Sequence, residues 1–142
     1  MTKKKILIAT GGTGGHIFPA LSLAKNLIKK NYDIILTTDK RGLKYLSDIN
    51  EINLKKISSS PLVKKNIFRL IYSVLLICYS TVKSLFLLSL NRPHIIIGMG
   101  GYSSFPVCVA ATILRIKFII YENNLIIGKA NKYLLQFAEK IF

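Results

Sequence analysis

The sequence predicts an α/β fold in which a Rossmann-like parallel sheet is flanked by helices. Short runs of β-branched residues alternate with longer segments of helical periodicity along all 142 residues. This alternation favours parallel strands, because each helix returns the chain to the starting edge of the sheet. The chain has the length of one ordinary domain and contains no linker-like or repeated segment, so one domain spanning residues 1–142 is expected.

Strands and helices are predicted in strict alternation. The strands are bounded by Gly, Pro, Asn or charged residues and comprise residues 6–10, 33–38, 53–58, 94–99 and 117–122. The helices comprise residues 19–30, 42–48, 66–90, 105–115 and 128–138. Residues 138–142, AEKIF, are expected to begin a sixth strand. Because domain boundaries fall in polar linkers and not within strands, this ending indicates that part of the protein is missing.

The chain is strongly basic. Lys and Arg outnumber Asp and Glu by 21 to 6, which gives a net charge of +15. Such a charge attracts phosphate-rich partners: nucleic acid, anionic lipid or a diphosphate substrate. A general bias toward Ile, Asn and Lys is an alternative explanation that needs no ligand. Nucleic acid is the least favoured partner, because no motif interleaves aromatic and basic residues.

The cysteines and acidic residues exclude some classes of site. Cys78 and Cys108 lie in apolar stretches without zinc-site spacing, and are predicted to be core thiols in a reducing compartment. The six acidic residues are dispersed without an Asp-x-Asp pair, so no metal or other cofactor is expected. The first apolar run is too short for a signal peptide, so export is not expected.

Two glycine-rich turns are the main candidates for a ligand site. Residues 11–16, GGTGGH, follow the first strand and precede a helix, and residues 98–106, GMGGYSSFP, do the same after a later strand. Bare backbone N–H groups at a helix N-terminus attract anions, and glycine allows close approach. The spacing matches neither a Walker A loop nor the dinucleotide fingerprint, although Asp33 and Asp39 keep a dinucleotide site as a weaker alternative. Two ordinary tight turns are the other interpretation.

His16 is the candidate general base. It follows the first glycine turn, where it would meet an anion-bound substrate, and imidazole changes protonation near neutral pH. A histidine that only caps the following helix is the alternative. His94 lies at a strand start and is predicted to be structural.

Residues 66–91 form the most apolar segment, NIFRLIYSVLLICYSTVKSLFLLSLN. A polar strip of Arg69, Ser73, Ser80, Lys83 and Ser84 is expected on one side, with apolar residues nearly all round otherwise. The helix could lie on a membrane, with Tyr72, Tyr79 and Phe86 at the interface and Lys64, Lys65 and Arg69 on lipid phosphates. A buried core helix and, less favoured, a membrane-spanning helix are the alternatives.

Three motifs resemble the amino-terminal half of the MurG family, which belongs to glycosyltransferase family 28. They are GGTGGHIFPALSLAKNL, IGMGGYSSFP and YENNLIIGKANKYLLQFAEKI, in the family's order and at similar separations over essentially the whole chain. The resemblance implies the acceptor-binding N-terminal domain of a two-domain GT-B fold. It also implies an inverting hexosyltransferase that moves N-acetylglucosamine from UDP-GlcNAc to undecaprenyl-diphosphate-linked MurNAc-pentapeptide in peptidoglycan synthesis.

The resemblance also assigns residues and partners. The glycine turns, with Gly100, Gly101 and Tyr102 in the second, would bind the acceptor diphosphate, and His16 would be the base, with Glu122 as the second candidate. The positions that match those used against the UDP-sugar are Thr13, Gly14, Gly15 and Asn124. The enzyme would act peripherally, on the anionic cytoplasmic face of the bacterial inner membrane.

Two departures from the family pattern bear on these expectations. The family usually has His-Glu-Gln-Asn where this chain has Tyr121, Glu122, Asn123 and Asn124, so one imidazole is replaced by a phenol. Nothing in the sequence corresponds to the C-terminal domain, which holds most of the UDP-sugar. The alternative function is therefore a non-catalytic subunit that binds the lipid diphosphate and needs a separate donor-binding partner.

Overall fold

A six-stranded sheet organises the protein. The computed structural model describes residues 3–46, 52–61, 66–122 and 127–142. Every neighbouring pair of strands is parallel, and the strand order is β3-β2-β1-β4-β5-β6. The strands are β1 (Lys5–Ala9), β2 (Asp33–Thr38), β3 (Asn53–Lys56), β4 (Ile95–Gly98), β5 (Phe118–Ile120) and β6 (Lys140–Ile141). The predicted Rossmann-like sheet is confirmed, and its order reverses between β1 and β4, where such sheets bind ligands.

The helices cover both faces of the sheet. They are α1 (Gly14–Lys29), α2 (Lys40–Leu43), α3 (Ile67–Asn91), α4 (Ser104–Ile113) and α5 (Lys129–Leu134), the last followed by a 3-10 turn at Leu135–Phe137. Asp39 begins α2, because its side chain accepts hydrogen bonds from the N–H groups of Arg41 and Gly42. Residues 47–51, which include the end of the helix predicted at 42–48, lie outside the described residues.

The predicted start of the first helix is wrong. Helix α1 begins at Gly14, whereas Pro19, expected near its start, lies inside it. Proline removes one backbone hydrogen bond and crowds the carbonyl four residues earlier, so a proline inside a helix goes against its usual place in the first turn. The first turn of α1 therefore contains Gly14, Gly15 and His16, and the glycine sequence is part loop and part helix.

Side chains alternate between two hydrophobic layers, as the pleat requires. Leu7, Ile35 and Ile96 face the layer that includes α4 and the end of α3, and Ile8 and Leu36 face the layer that includes α1. Cys108 is buried in the former layer, as predicted, and burial raises the pKa of its thiol to about 12. The prediction for Cys78 is wrong, because this thiol is exposed on α3.

Helix α3 is attached through its serines. Ser73, Ser80 and Ser84 are buried, together with Leu88. The Ser73 hydroxyl donates to the Pro61 carbonyl at 3.1 Å, and the Ser80 hydroxyl donates to the Ser58 carbonyl. Both acceptors lie in the segment directly after β3. The predicted polar strip is therefore divided: its serines are satisfied inside the protein, whereas Arg69 and Lys83 are exposed.

The opposite face of α3 is apolar and exposed. Only 17% of its most apolar 18-residue window is buried, which excludes a core helix. By length and composition α3 could cross a membrane, a test that some helices of soluble proteins also pass. Its large exposed apolar side chains are Ile67, Phe68, Ile71, Tyr72, Val74, Leu75, Tyr79, Val82, Phe86 and Leu90. An uncovered patch of this extent marks an interaction surface.

The two cysteines should differ sharply in reactivity. In the native protein at pH 8, we expect a maleimide to label Cys78 and to leave Cys108 unmodified, because the thiolate is the reactive form and burial suppresses it. Because the pKa of Cys108 is raised in the folded state, its contribution to stability is present below about pH 9 and declines as the pH rises toward 12. Mass spectrometry of tryptic peptides, with and without urea, measures the labelling. Labelling of Cys108 in the native protein would contradict the packing described.

Candidate functional site

The two glycine turns meet at one edge of the sheet. They follow β1 and β4, which are neighbours with Ala9 opposite Gly98. A Cβ atom on Gly101 would lie 2.5 Å from the Gly11 Cα, and one on Gly11 would lie 2.7 Å from the Gly101 Cα. No side chain fits between two backbones this close. Gly101 also has a φ of 78°, a conformation that other residues rarely adopt.

Two serines stabilise the second turn. The Ser103 hydroxyl donates to the Thr10 carbonyl at 2.8 Å, which ties this turn to the end of β1. The Ser104 hydroxyl donates to the Gly101 carbonyl at 2.9 Å, at the start of α4. Both serines are buried. The two serines of GMGGYSSFP therefore support the turn and are not available as ligands.

His16 lies against the second turn. A Cβ atom on Gly100 would be 3.0 Å from the His16 Cε1 and 3.2 Å from its Nδ1, so the glycine makes room for the ring. Nδ1 is buried and has no hydrogen-bond partner among the described residues. Nε2 is therefore the ring nitrogen available to a ligand. Since no acceptor holds a proton on Nδ1, the tautomer of His16 is not set in this state.

Glu122, after β5, is held by the start of α5. Its Oε2 accepts a hydrogen bond from the Gly128 N–H and another from the Asn131 side-chain amide, both at 2.9 Å. Asn131 is 3% exposed and lies 3.7 Å from the position a Cβ of Gly100 would occupy. The carboxylate is thus oriented by two donors, one of them from a buried residue.

A cleft of about 180 Å³ brings these groups together. The residues that line it are His16, Gly101, Tyr102, Glu122, Gly128, Lys129, Ala130 and Asn131. The first turn of α1 and the turn before α4 both reach it, so the positive ends of two helices lie at its wall. An imidazole, a carboxylate and an ammonium group around one cleft can bind an anion and transfer a proton.

Sequence reasoning missed Asn131 and Lys129. Asn131 has a detectable signal: it is a polar residue on the buried side of a short apolar helix, and such a residue needs a partner. Its partner, Glu122, precedes it by nine residues across residues 123–126, which lie outside the described part of the chain. Only the folded chain shows that the two side chains meet.

The other expected ligand residues lie beside the cleft or cannot be placed. Thr13 precedes α1 and is exposed, as is Gly15, while Gly14 is half-buried. None of these three lines the cleft. Asn124 lies outside the described residues, and Tyr121, which replaces the usual histidine, is 37% exposed at the end of β5.

Asp39 does not serve a dinucleotide. It lies at the end of β2 against Gly12, and its Oδ2 accepts hydrogen bonds from Arg41 Nε at 3.1 Å and Nη2 at 2.8 Å. Its Oδ1 accepts the two N–H groups that begin α2. This carboxylate is used for the fold, which removes the main support for the dinucleotide alternative. In the described part of the chain, no three His, Cys, Asp or Glu side chains cluster as metal ligands would.

Comparison with known proteins identifies the fold and the sequence family. The family described as glycosyltransferase family 28 N-terminal domain matches residues 6–142. A relative in Pelagibacter ubique is 39% identical over 98% of this chain, and one in a Wolbachia strain from Brugia malayi is 42% identical over 96%. Both relatives are named UDP-N-acetylglucosamine--N-acetylmuramyl-(pentapeptide) pyrophosphoryl-undecaprenol N-acetylglucosamine transferase. The chain spans 38% and 37% of their lengths.

Solved structures agree. The crystal structure of MurG from Acinetobacter baumannii matches 97% of this chain with a TM-score of 0.84 and 27% identity, over 40% of its own length. A UDP-N-acetylglucosamine 2-epimerase matches 99% with a TM-score of 0.68, but at 16% identity this likeness shows the fold alone.

Substitution of Gly101 by alanine should disrupt the meeting of the turns. The new Cβ would clash with Gly11, and positive φ adds a strain of about 1–3 kcal/mol, so we expect a lower free energy of unfolding and loss of ligand binding. Gly128→Ala is the matched control, because its Cβ would lie 3.5 Å from the Glu122 Oε2 without positive φ. Urea denaturation measures both variants. Equal stability of the two would show that the contact between the turns is not needed.

Proposed function

The chain belongs to the glycosyltransferase family 28 N-terminal domain family, and on this premise we propose that it is the acceptor-binding domain of a peptidoglycan N-acetylglucosaminyltransferase. The reaction would transfer N-acetylglucosamine from UDP-GlcNAc to MurNAc-pentapeptide on undecaprenyl diphosphate. The observation that carries the proposal is the cleft in which His16 and Glu122 lie beside the two joined glycine turns. A purely binding subunit is less favoured, because the relatives that match the whole chain are named as transferases.

The acceptor diphosphate would bind at the glycine turns. The backbone there is bare of side chains, and the positive ends of α1 and α4 lie at the cleft wall. Lys129 adds a full positive charge at the same cleft, and the net charge of +15 favours approach of an anion. Main-chain amides and a lysine can therefore stabilise the diphosphate without a metal ion.

His16 would remove the proton from the attacking hydroxyl. As the oxygen at C4 of MurNAc forms a bond to the anomeric carbon of GlcNAc, the bond to UDP breaks with inversion and the proton moves to Nε2. This role requires a proton on Nδ1, which has no acceptor among the described residues. Binding of substrate or of a second domain would have to favour that tautomer.

Glu122 is the second candidate for the base. Its Oε2 is occupied by Gly128 and Asn131, which favours a role in holding the start of α5 against the cleft. A carboxylate so oriented can also accept a hydrogen bond from a substrate hydroxyl. Glu122 therefore becomes the base only if His16 proves dispensable.

The donor would bind mainly outside this chain. Thr13 and Gly15 are exposed at the start of α1, where a second domain could close over the cleft and place the UDP-sugar against them. Asn124 would join them. We expect the 142-residue chain by itself to bind the acceptor without transferring sugar, because the uracil pocket belongs to the C-terminal domain of the GT-B fold.

The apolar face of α3 would rest on the membrane that carries the acceptor. Its exposed aromatic residues are suited to an interface and include Tyr72, Tyr79 and Phe86. Arg69 and Lys83 are exposed on the same helix. The described residues include no acidic side chain on α3. We place the protein peripherally on the anionic cytoplasmic face of the inner membrane, where UDP-GlcNAc and the lipid-linked acceptor meet.

Substitution of His16 tests its role. In a fusion of this chain to a donor-binding domain of family 28, we expect His16→Ala and His16→Gln to lower kcat about 10²–10⁴-fold, the usual contribution of a general base. The affinity of both variants for nanodiscs that carry the acceptor should remain within about twofold of the wild-type value, because a general base acts on the transition state and not on the bound ground state. Glutamine can donate a hydrogen bond but cannot accept the proton under these conditions.

The comparison of the two variants separates catalysis from binding. If His16→Gln keeps nearly full kcat while His16→Ala loses it, the ring only donates a hydrogen bond and the proposed base is wrong. Glu122→Gln, measured in parallel, identifies the alternative base. If the wild-type chain transferred sugar without any donor-binding domain, the proposal that a second domain binds the donor would be wrong.

Substitution of two exposed residues tests the membrane face. We expect the double variant Leu75→Ser, Tyr79→Ser to lose at least about tenfold in partition onto vesicles, because each buried apolar side chain contributes about 1.5–3 kcal/mol. Its circular dichroism and urea midpoint should not change. Tyr133→Ser is the control, since this tyrosine is 68% exposed on α5, compared with 65% for Tyr79.

Cys78 supplies an independent measurement of the same contact. It lies between Leu75 and Tyr79 and is exposed, so vesicles should protect it from a water-soluble maleimide. Unchanged vesicle binding by the double variant, or labelling of Cys78 at the same rate with and without vesicles, would contradict the proposed orientation.

A further inference from the structure

The first glycine turn has an oriented arginine on the side away from the cleft. Arg41, in α2, donates two hydrogen bonds to the Asp39 Oδ2, from Nε at 3.1 Å and from Nη2 at 2.8 Å. The Asp39 side chain is only 10% exposed, whereas that of Arg41 is 61% exposed. A Cβ atom on Gly12 would overlap this carboxylate, so Asp39 packs directly against the backbone of the turn. The carboxylate therefore holds the guanidinium in one orientation beside the turn.

The Arg41 guanidinium keeps donors for a ligand. A guanidinium has five N–H groups, and the bonds to Asp39 use two of them. Within the described part of the chain, the Arg41 side chain makes no other hydrogen bond or ion pair. The remaining N–H groups include one on each terminal nitrogen, which together form the parallel pair that matches a carboxylate. Because Asp39 already restricts the side chain, little rotational freedom is lost when a ligand binds.

Two exposed aromatic rings lie on the same side of the first glycine turn. A Cβ atom on Gly14 would lie 3.2 Å from the Phe18 Cε2, so the Phe18 ring covers the first turn of α1. Phe18 packs edge-on against Tyr45, just past α2, with 5.7 Å between the ring centroids. The two residues are 58% and 50% exposed. We call Arg41, Phe18 and Tyr45 the α2 patch.

We propose that the α2 patch binds the peptide of the acceptor, with its terminal carboxylate on Arg41 and its side chains against Phe18 and Tyr45. An oriented guanidinium beside exposed apolar rings matches the end of a peptide, where a carboxylate lies next to carbon-rich side chains. The inference rests on the proposed function and adds the residues that recognise the part of the acceptor outside the cleft. Arg41 is thus a specificity-determining residue.

The chemistry of the acceptor sugar directs its peptide toward the α2 patch. MurNAc carries the diphosphate at C1 and the reacting hydroxyl at the opposite end of the ring, at C4, and its peptide is attached through C3, next to C4. With the diphosphate near Lys129 and the C4 hydroxyl near His16, the peptide leaves the sugar at the His16 end. Phe18 follows His16 by two residues and therefore lies across α1 from it. Five extended residues span at most about 18 Å, enough to pass over the first turn of α1.

Charge balance offers a competing explanation for Arg41. Without this arginine, the Asp39 carboxylate would carry an unbalanced negative charge beside Gly12, next to the proposed diphosphate site, and an anion would bind less tightly there. Such a loss would be the same whatever peptide the acceptor carries. Acceptor analogues that differ only in the peptide therefore separate the two explanations.

The experiment titrates the 142-residue chain with three soluble analogues of the acceptor, each a MurNAc diphosphate with a short prenyl chain. The first carries a pentapeptide with a free terminal carboxylate, the second carries the same pentapeptide as its terminal carboxamide, and the third has no peptide. Calorimetry measures the affinities of the wild type, Arg41→Gln, Arg41→Lys and Lys40→Gln. The last variant is the control, because it removes an equal charge from the neighbouring exposed residue.

We expect Arg41→Gln to bind the free-acid analogue about tenfold more weakly than the wild type, because a paired, charge-assisted contact is lost. Arg41→Lys should keep part of the affinity, since an ammonium group retains the charge without the planar fork. Lys40→Gln should stay within about twofold. On the carboxamide and peptide-free analogues, all four proteins should agree within about twofold. The N–H groups at positions 41 and 42 still bond to the Asp39 Oδ1 in every variant, so the urea midpoints should not change.

Several results would overturn the peptide contact. An equal loss by Arg41→Gln on all three analogues would assign Arg41 to charge balance, and an equal loss by Lys40→Gln would show diffuse attraction. An unchanged affinity of Arg41→Gln for the free-acid analogue would also remove the contact. If the wild type binds none of the analogues, the proposed acceptor-binding function itself fails. If the wild type binds them all without any dependence on Arg41 and the carboxylate, only the role of the α2 patch fails.

Discussion

The contact between the backbones of Gly11 and Gly101 is the constraint on which the site depends. It joins the turn after β1 to the turn after β4, at the point where the strand order reverses. Because nothing larger than hydrogen fits there, main-chain amides instead of side chains form this part of the surface. The same closeness brings Gly100 against the His16 ring. The bare backbone at the turns and the imidazole beside it are therefore consequences of one packing arrangement, and the oriented Glu122 completes the cleft beside them.

Helix α3 connects this site to the proposed membrane surface. Since α3 ends where β4 begins, it runs against the strand direction, and its first turns lie at the edge that carries the glycine turns. Ser73 and Ser80 bond to carbonyls in the segment just past β3, which lies at that same edge. At about 1.5 Å per residue its 25 residues span roughly 37 Å, so the apolar face extends from the edge of the sheet that carries the glycine turns toward the opposite edge. In the proposed orientation, this one helix holds the cleft close to the bilayer.

The serine attachment explains how an apolar helix keeps one orientation against the sheet. A hydroxyl in the interface is stable when it donates to a carbonyl that would otherwise be unsatisfied, and Ser73 and Ser80 each meet this condition. A leucine at either position could pack against the protein in several rotations of the helix about its axis. The serine hydroxyls meet their carbonyl partners in only one of these rotations. The polar residues therefore determine which face is inside, and the apolar face remains outside for a partner.

The sequence by itself determined the parallel sheet and the alternation of its strands and helices, because the periodicity of each segment leaves few topologies. That the two glycine turns touch was decided by the pairing of β1 with β4. The sequence did not determine the start of α1, because proline favours the first turn of a helix whereas Pro19 lies inside this one. Nor did it show that the serines of α3 are buried, that Cys78 is exposed or that Asn131 holds Glu122. The serines and Asn131 depend on partners that are distant in sequence or across an irregular segment, such as the Ser58 carbonyl and the Glu122 carboxylate. The local sequence pattern indicates which secondary structure a residue favours. Only the tertiary structure decides which hydrogen-bond or packing partner that residue has.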